Sequence, residues 1–456
     1  MCGLIGGYRA ALDQQAALAA IAHRGPDGSG WQVIGATTLG HTRLAIQDPR
    51  DVAAQPFPSG AVTLTYNGEA YNAPALREKL ESEGVGGWRT TGDTELVAAL
   101  LDRHGHAGLD RIEGMFAAAW HDTRTGTWLA RDRHGKMPLY AVRAGQRWLW
   151  ASELKALPVG VPAVAVAPGT AVHVDTGKVH RWARTRPPLP PEPQALRRAL
   201  RDGVAARLLS DRPVCFLLSG GLDSTFVLAL AREIHPNPVA YTAVYDPGSA
   251  DLAAARRVAA HLDVPLVEIP VPHPTTAAIT AAVRTIEIPM KAQVEITLAN
   301  LPLARAIACD GFRVVLSGEA ADELFGGYGN LIRAAHGADD ATWRSLRHAQ
   351  VDKMGRGNFM RVNKVFMAAG VEARLPFMHR EVVDLALAAG LRDCPPGKGL
   401  LKRAAAGLVP DWVIKRPKDT FQGGTRIADA AARVVSNPVR FYNAEARRLF
   451  GYLPKG

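Results

Sequence analysis

The chain has 456 residues, 47% of them hydrophobic and 21% charged, and a formal net charge of +11. That length exceeds one ordinary core and, at roughly 100–200 residues per domain, predicts two; with no apolar run of about 20 residues, a bilayer-spanning helix is excluded. The excess of 54 Lys and Arg over 43 Asp and Glu is scattered, with only short clusters such as "RALRDGVAAR", which argues against a nucleic-acid partner and for positive clefts suited to phosphate and carboxylate.

Cysteines at 2, 215, 309 and 394 have neither CxxC spacing nor the density of a small secreted scaffold, so disulfides and a zinc site are not expected. The first twenty residues are interrupted by Arg9, Asp13, Gln14 and Gln15 and lack a basic start, so no signal peptide is read there and a cytoplasmic location is expected.

The chain opens "MCGLIGG". Removal of Met1 would give Cys2 a thiol nucleophile and, on the same residue, an α-amine able to act as its base. Short strand-like runs follow ("AVTLTYN", "GMFAAAW", "GTWLARD", "RWLWAS"), with "APALREKLES" and "DTELVAALLDRHG" patterned as helices. "RTRPPLPPEP", Arg184 to Pro193, breaks the pattern, because closely spaced prolines favour extended polyproline conformation. The expected division is a first domain over 2–186, a proline-rich linker over 187–193 and a second domain over 194–456. Beyond the linker, "VCFLLSGG", "PVAYTAVYD", "PLVEIP" and "RVVLSG" alternate with helical runs, the rhythm of a parallel sheet covered by helices.

Four polar signatures in the first half have the wrong character for core strands: "HRGPDGSG" at 23–30, "HTRLAIQD" at 41–48, "YNGEAYN" at 66–72 and "TTGDTE" at 90–95. Singly, Arg43 reads as a surface ion-pair residue, Asn67-Gly68 as a hairpin turn and Asp93 as a helix N-cap. In this order behind Cys2, they closely resemble the glutaminase domain of class II glutamine amidotransferases, N-terminal nucleophile hydrolases with an αββα sandwich. The resemblance implies that Cys2 attacks the side-chain amide of glutamine and that Asn67 and the Gly68 N–H stabilise the oxyanion. It also implies that Arg43, Asn67, Glu69 and Asp93 bind the glutamine, Arg43 on its α-carboxylate and Asp93 on its α-ammonium.

"VCFLLSGGLDSTFVLAL" is an apolar strand, a Ser/Gly turn and a helix, a setting in which converging N–H groups and a helix N-terminus suit a phosphate. SGGLDS is not the GxxxxGK[ST] pattern; it resembles the pyrophosphate loop of ATP pyrophosphatases (adenine nucleotide alpha hydrolase-like fold). By that resemblance Ser219, Gly220, Gly221, Asp223 and Ser224 hold ATP, with Leu217 and Val267 at the adenosine. "VVLSGEAADELFGGYG" at 314–329 repeats the grammar. By resemblance to asparagine synthetases, Ser317 and Gly318 touch the nucleotide, Glu319 lies near the reacting acyl group, and Asp322 shares Mg2+ with Asp223. Lys418 in "RPKDTF" would contact the phosphates and stabilise charge during adenylation.

Stretches 361–387 and 398–424 extend the likeness nearly to the C-terminus. It implies a ligase that hydrolyses glutamine, adenylates a carboxylate with ATP and Mg2+, and amidates it with the released ammonia, aspartate being the first acceptor to test. The family also suggests a homodimer and an internal ammonia passage. Three local departures leave the acceptor open: Asn363 where the family commonly has aspartate, His379 in place of the aspartate of "PFLD", and Lys291 near the expected acceptor pocket. The alternatives are a non-aspartate carboxylate of specialised metabolism and a β-lactam synthetase-like cyclase, which would have no use for the intact glutaminase set.

Overall fold

The computed structural model describes residues 2–185, 187, 189–417 and 427–454. Two six-stranded antiparallel sheets come first. One runs in the order β10 (Val164–Ala165), β8 (Tyr140–Ala144), β9 (Arg147–Ala151), β1 (Gly3–Tyr8), β3 (Thr37–Arg43) and β2 (Gly28–Ile34). The other runs β12 (Lys178–Arg181), β11 (Thr170–His173), β7 (Gly126–Arg131), β6 (Gly114–Asp122), β5 (Val62–Ala70) and β4 (Phe57–Ser59).

The sheets face each other and helices cover their outer faces, giving four layers. Alternation along β6 shows why. Met115, Ala117 and Ala119 share a core with Leu4 and Leu39 of the opposite sheet, while Phe116, Ala118 and Trp120 pack with residues of helices Ala73–Ser82 and Asp93–His104. A strand covered on both faces reads as a continuous apolar run, which is how "GMFAAAW" reads. On the outside of the first sheet, helix Gln14–Ile21 is capped by Asp13, whose side chain accepts from the Ala16 N–H, and places Ala17 and Ile21 against Ile5 and Ala151.

The second half holds a five-stranded parallel sheet in the order β15 (Leu266–Pro270), β14 (Ala240–Val244), β13 (Val214–Leu217), β16 (Val314–Leu316) and β17 (Glu372–Arg374). From β13 the chain steps outward to β14 and β15, then returns to the other side of β13 for β16 and β17. The crevice at the carboxyl ends of β13 and β16 is therefore a topological switch point, where doubly wound sheets bind ligands. The proline-rich stretch leads into helix Pro193–Ala206, which starts on a proline, a residue suited to the first helical position.

One buried cluster runs from Leu4 and Leu39 through Met137 to Met360 and Phe366, so the two halves share a core. Helix Asn358–Met367 sits at their junction with Phe359 to Met367 all buried. Among the described residues no helix is long and apolar enough to cross a membrane.

Candidate active sites

Cys2 is buried directly before β1, whose six residues are all buried. Its backbone nitrogen donates to Asn67 Oδ1 at 2.9 Å, and Asn67 Nδ2 points to Ser152 Oγ at 3.5 Å. Asn67 and Gly68 are not a hairpin turn: β5 continues through them to Ala70, with Gly68 paired to Phe116. Cys2, Arg43, Gly68, Glu69 and Asp93 line one cavity, and Asn67 adjoins it through Cys2. Asp93 is the first residue of its helix, but its carboxylate does not cap that helix; Oδ2 accepts from the Ala70 N–H at 2.8 Å, across to the end of β5.

Burial dominates the electrostatics of this pocket. It raises the Cys2 thiol above its ordinary value, so the sulfur holds its proton and needs a base. It pushes the Asp93 carboxyl up to about 6 and that of Glu69 well above the carboxylate range, although the Arg374 guanidinium, 3.2 Å from Glu69 Oε2, opposes the latter shift. The cavity encloses about 40 Å³. Arg43 donates to the carbonyls of Arg50, at 3.0 Å, and Asp48, and Gln47 contacts Glu69.

At the switch point a cavity of about 700 Å³ opens. Ser219, Gly221, Asp223 and Ser224 line one side, from the loop after β13 and the start of helix Leu222–Ile234. Ser317, Gly318, Glu319 and Asp322 line the other, from the loop after β16 and the short helix Ala321–Phe325 that follows it. The loops touch at Gly318, where a Cβ would lie 2.7 Å from the Ser224 nitrogen, so only glycine permits the approach. Ser224 Oγ accepts from the Ser219 N–H at 3.1 Å and fixes the turn. Gly220 is left-handed at φ +74°, pressed against helix Ala250–Leu262, and does not reach the cavity wall. Leu217 lines the cavity at the end of β13; Val267, on edge strand β15, does not, because β14 intervenes and contributes Tyr241 and Thr242. Lys418 lies outside the described residues.

The sequence reading missed the groups that hold this site together. Lys398, itself left-handed at φ +71°, pairs with both Asp223 and Asp322. Arg361 donates to Glu319 Oε1 at 2.8 Å and Gln293 Oε1 at 2.7 Å. Asn358 and Tyr328 both donate to Glu323, whose carboxyl burial and the nearby Glu319 charge push up to about 8. Lys398 and Arg361 stand in the stretches that carried the family likeness, yet no local pattern marks them.

The three departures do not line the large cavity. Lys291 pairs with Glu295 one turn along its own helix. His379 lies 3.4 Å from Glu113, and Asn363 accepts from Arg24, both across the junction between the halves.

Two separate cavities in one chain, one at a buried cysteine and one at a parallel-sheet switch point, agree with the comparisons. The chain matches the glutamine amidotransferase domain family over residues 1–187 and the asparagine synthase family over 195–344 and 331–437. It is therefore an amidotransferase domain joined to a synthase domain. It is 32% identical to the asparagine synthetase [glutamine-hydrolyzing] of Asparagus officinalis, covering 92% of this chain and 74% of that one. It is 33% identical to asparagine synthetase B [glutamine-hydrolyzing] of Escherichia coli (strain K12), covering 91% and 80%. The chain belongs to the glutamine-hydrolysing asparagine synthetase family of ligases. Among solved structures, it is similar to glutamine phosphoribosylpyrophosphate amidotransferase from B. subtilis complexed with ADP and GMP, with a TM-score of 0.35 and 21% identity over 59% of this chain and 65% of that one.

Proposed function

We propose that the chain converts a carboxylate, L-aspartate in the first instance, into its amide with nitrogen from glutamine and energy from ATP. The domain of residues 2–186 releases the ammonia and that of 194–456 consumes it. The observation that carries this reading is the convergence of Cys2, Arg43, Gly68, Glu69 and Asp93 on one cavity while Asp223, Glu319 and Asp322 converge on another.

With Met1 removed, the Cys2 amine takes the thiol proton and the sulfur attacks the glutamine amide carbon. Asn67 and the Gly68 N–H receive the oxyanion, Arg43 and Asp93 hold the α-carboxylate and α-ammonium, and on collapse the Cys2 amine returns its proton to the nitrogen that leaves as ammonia; water then hydrolyses the thioester to glutamate and the free Cys2 thiol. In the second cavity the Ser219–Ser224 loop cradles the ATP phosphates, the acceptor carboxylate attacks the α-phosphorus, and pyrophosphate departs. Ammonia then displaces AMP from the acyl carbon beside Glu319, and Lys418 supports the phosphate charge.

Magnesium fits this site. Asp223 and Asp322 already converge on a single cation, the Lys398 ammonium, and supply the hard oxygen donors Mg2+ prefers. When bound there, the ion would neutralise phosphate charge.

The test is pyrophosphate release with ATP, magnesium and ammonium chloride across a panel of carboxylates, with mass spectrometry of products. Aspartate turned over to asparagine supports the reading. An inert aspartate beside another active acid moves the acceptor to that acid, and no pyrophosphate with any acceptor removes the synthetase reading.

A further inference from the structure

Arg24 is fully buried, and its guanidinium joins three parts of the chain. Nε donates to the Cys2 carbonyl at 3.0 Å, Nη1 to Glu153 Oε1 at 2.7 Å, and Nη2 to Asn363 Oδ1 at 2.9 Å. A guanidinium is planar and rigid, so fixing two of its nitrogens fixes where the third can donate. Glu153 comes from the amidotransferase half, held also by His23 at 3.0 Å and by Lys155. Asn363 comes from the other half, on the buried helix Asn358–Met367, with its Nδ2 3.4 Å from Met137 Sδ.

Two residues before Asn363, Arg361 faces the opposite way, because two positions on an α-helix differ by about 200°. Arg361 lines the 700 Å³ cavity and holds Glu319, while Asn363 holds Arg24 under Cys2. The helix is thus the partition between the two sites, with a side chain engaged on each. Arg24 and Asn363 do not line the glutamine cavity.

Resting on the reading of Cys2 as the glutaminase nucleophile, we infer that Asn363 is a positioning residue for the glutaminase reaction, setting the Cys2 backbone from the synthase half through the Arg24 guanidinium. Without its acceptor oxygen, Arg24 keeps Glu153 as the one side chain anchoring it, and the guanidinium can turn in its plane with the Cys2 carbonyl still attached to Nε. The Cys2 carbonyl then shifts, and with it the thiol and amine. This affects the chemical step and not glutamine affinity, because the groups that grip glutamine lie on other elements.

The experiment compares full-length wild type, Asn363→Leu (similar volume, no acceptor) and Asn363→Asp (acceptor retained), measuring glutamine kcat and KM beside ammonium-supported pyrophosphate release. For Asn363→Leu the expected result is a fall in glutamine kcat of about tenfold with KM and the ammonium-supported rate within about twofold, and recovery in Asn363→Asp. The inference is overturned by an unchanged kcat in Asn363→Leu, by glutamine- and ammonium-supported rates falling together, or by an Asn363→Asp variant as impaired as Asn363→Leu. Wild type that hydrolyses no glutamine overturns the Cys2 reading, and this inference with it; wild type that does so while Asn363→Leu matches it overturns the inference alone.

Discussion

The ammonium of Lys398 stands between the carboxylates of Asp223 and Asp322, 2.7 Å from Oδ1 of the latter, and joins the loops after β13 and β16 from a third segment of the chain. Without it, and without a metal ion in its place, two carboxylates would face each other in the cavity wall. Breaking a fully buried pair costs about 3–5 kcal/mol; here the carboxylates are about one-fifth exposed, so the loss is smaller. In Lys398→Met, ammonium-supported pyrophosphate release is expected to fall by about 100-fold or more while glutamine hydrolysis stays within about twofold. A pyrophosphate assay and a glutamate assay on the same preparation check this, and retained pyrophosphate release would show that Lys398 only braces the loop.

Lys398 also shows what a sequence conceals. The phosphate-type loop after β13 is legible because strand, glycine turn and helix follow one another without interruption from Val214 to Ile234, and local grammar is enough. Helix Ala73–Ser82 is legible for the same reason, its apolar residues recurring with the helical period. β17 is not: it has three residues, and the buried Glu372 and Arg374 in it are compensated by each other, by Glu69 of the other half and by the carbonyls of Arg207 and Leu209. Arg24 reads as part of a loop motif for the same reason, its partners lying far along the chain. Buried charge compensated by distant charge leaves no periodic signal, whereas apolar burial does.

Cys2→Ala is expected to abolish glutamine-supported synthesis while synthesis from ammonium salts persists within about twofold. The substitution keeps the nitrogen of residue 2 that donates to Asn67 Oδ1 and removes only sulfur. Parallel assays with glutamine and with ammonium chloride decide it. Loss of both would make Cys2 a structural residue.

Gly318→Ala places a methyl group 2.7 Å from the Ser224 nitrogen and 2.9 Å from the Asp223 carbonyl carbon, backbone atoms that cannot turn aside. The two cavity loops must separate, at about 1–3 kcal/mol by analogy with overpacked cores. ATP affinity is expected to fall at least about tenfold, a loss of roughly 1.4 kcal/mol, with glutamine hydrolysis unaffected. Nucleotide titration by calorimetry measures the first and a glutaminase assay the second; unchanged ATP binding would show that the loops accommodate the methyl group without separating.

The pH dependence of glutamine use follows from Asp93. Burial pushes its carboxyl from the ordinary 3.8 up to about 6, with the Ala70 N–H opposing. A raised carboxyl pKa means that the folded chain binds more protons than the unfolded one between these values. Stability associated with this group is therefore greatest below about 3.8, falls as pH rises to about 6, and is level above. On the proposed pairing of Asp93 with the glutamine α-ammonium, bound glutamine compensates the charge and reverses that penalty, so glutamine should protect against thermal unfolding more at pH 7.5 than at pH 5. For the same reason KM for glutamine should rise as pH falls below about 6, by up to tenfold per unit, because protonated Asp93 offers no charge to the ammonium. Asp93→Asn should raise KM at neutral pH and abolish this acid limb, and an acid limb surviving in Asp93→Asn would assign the titration to Glu69 or another group of the cavity.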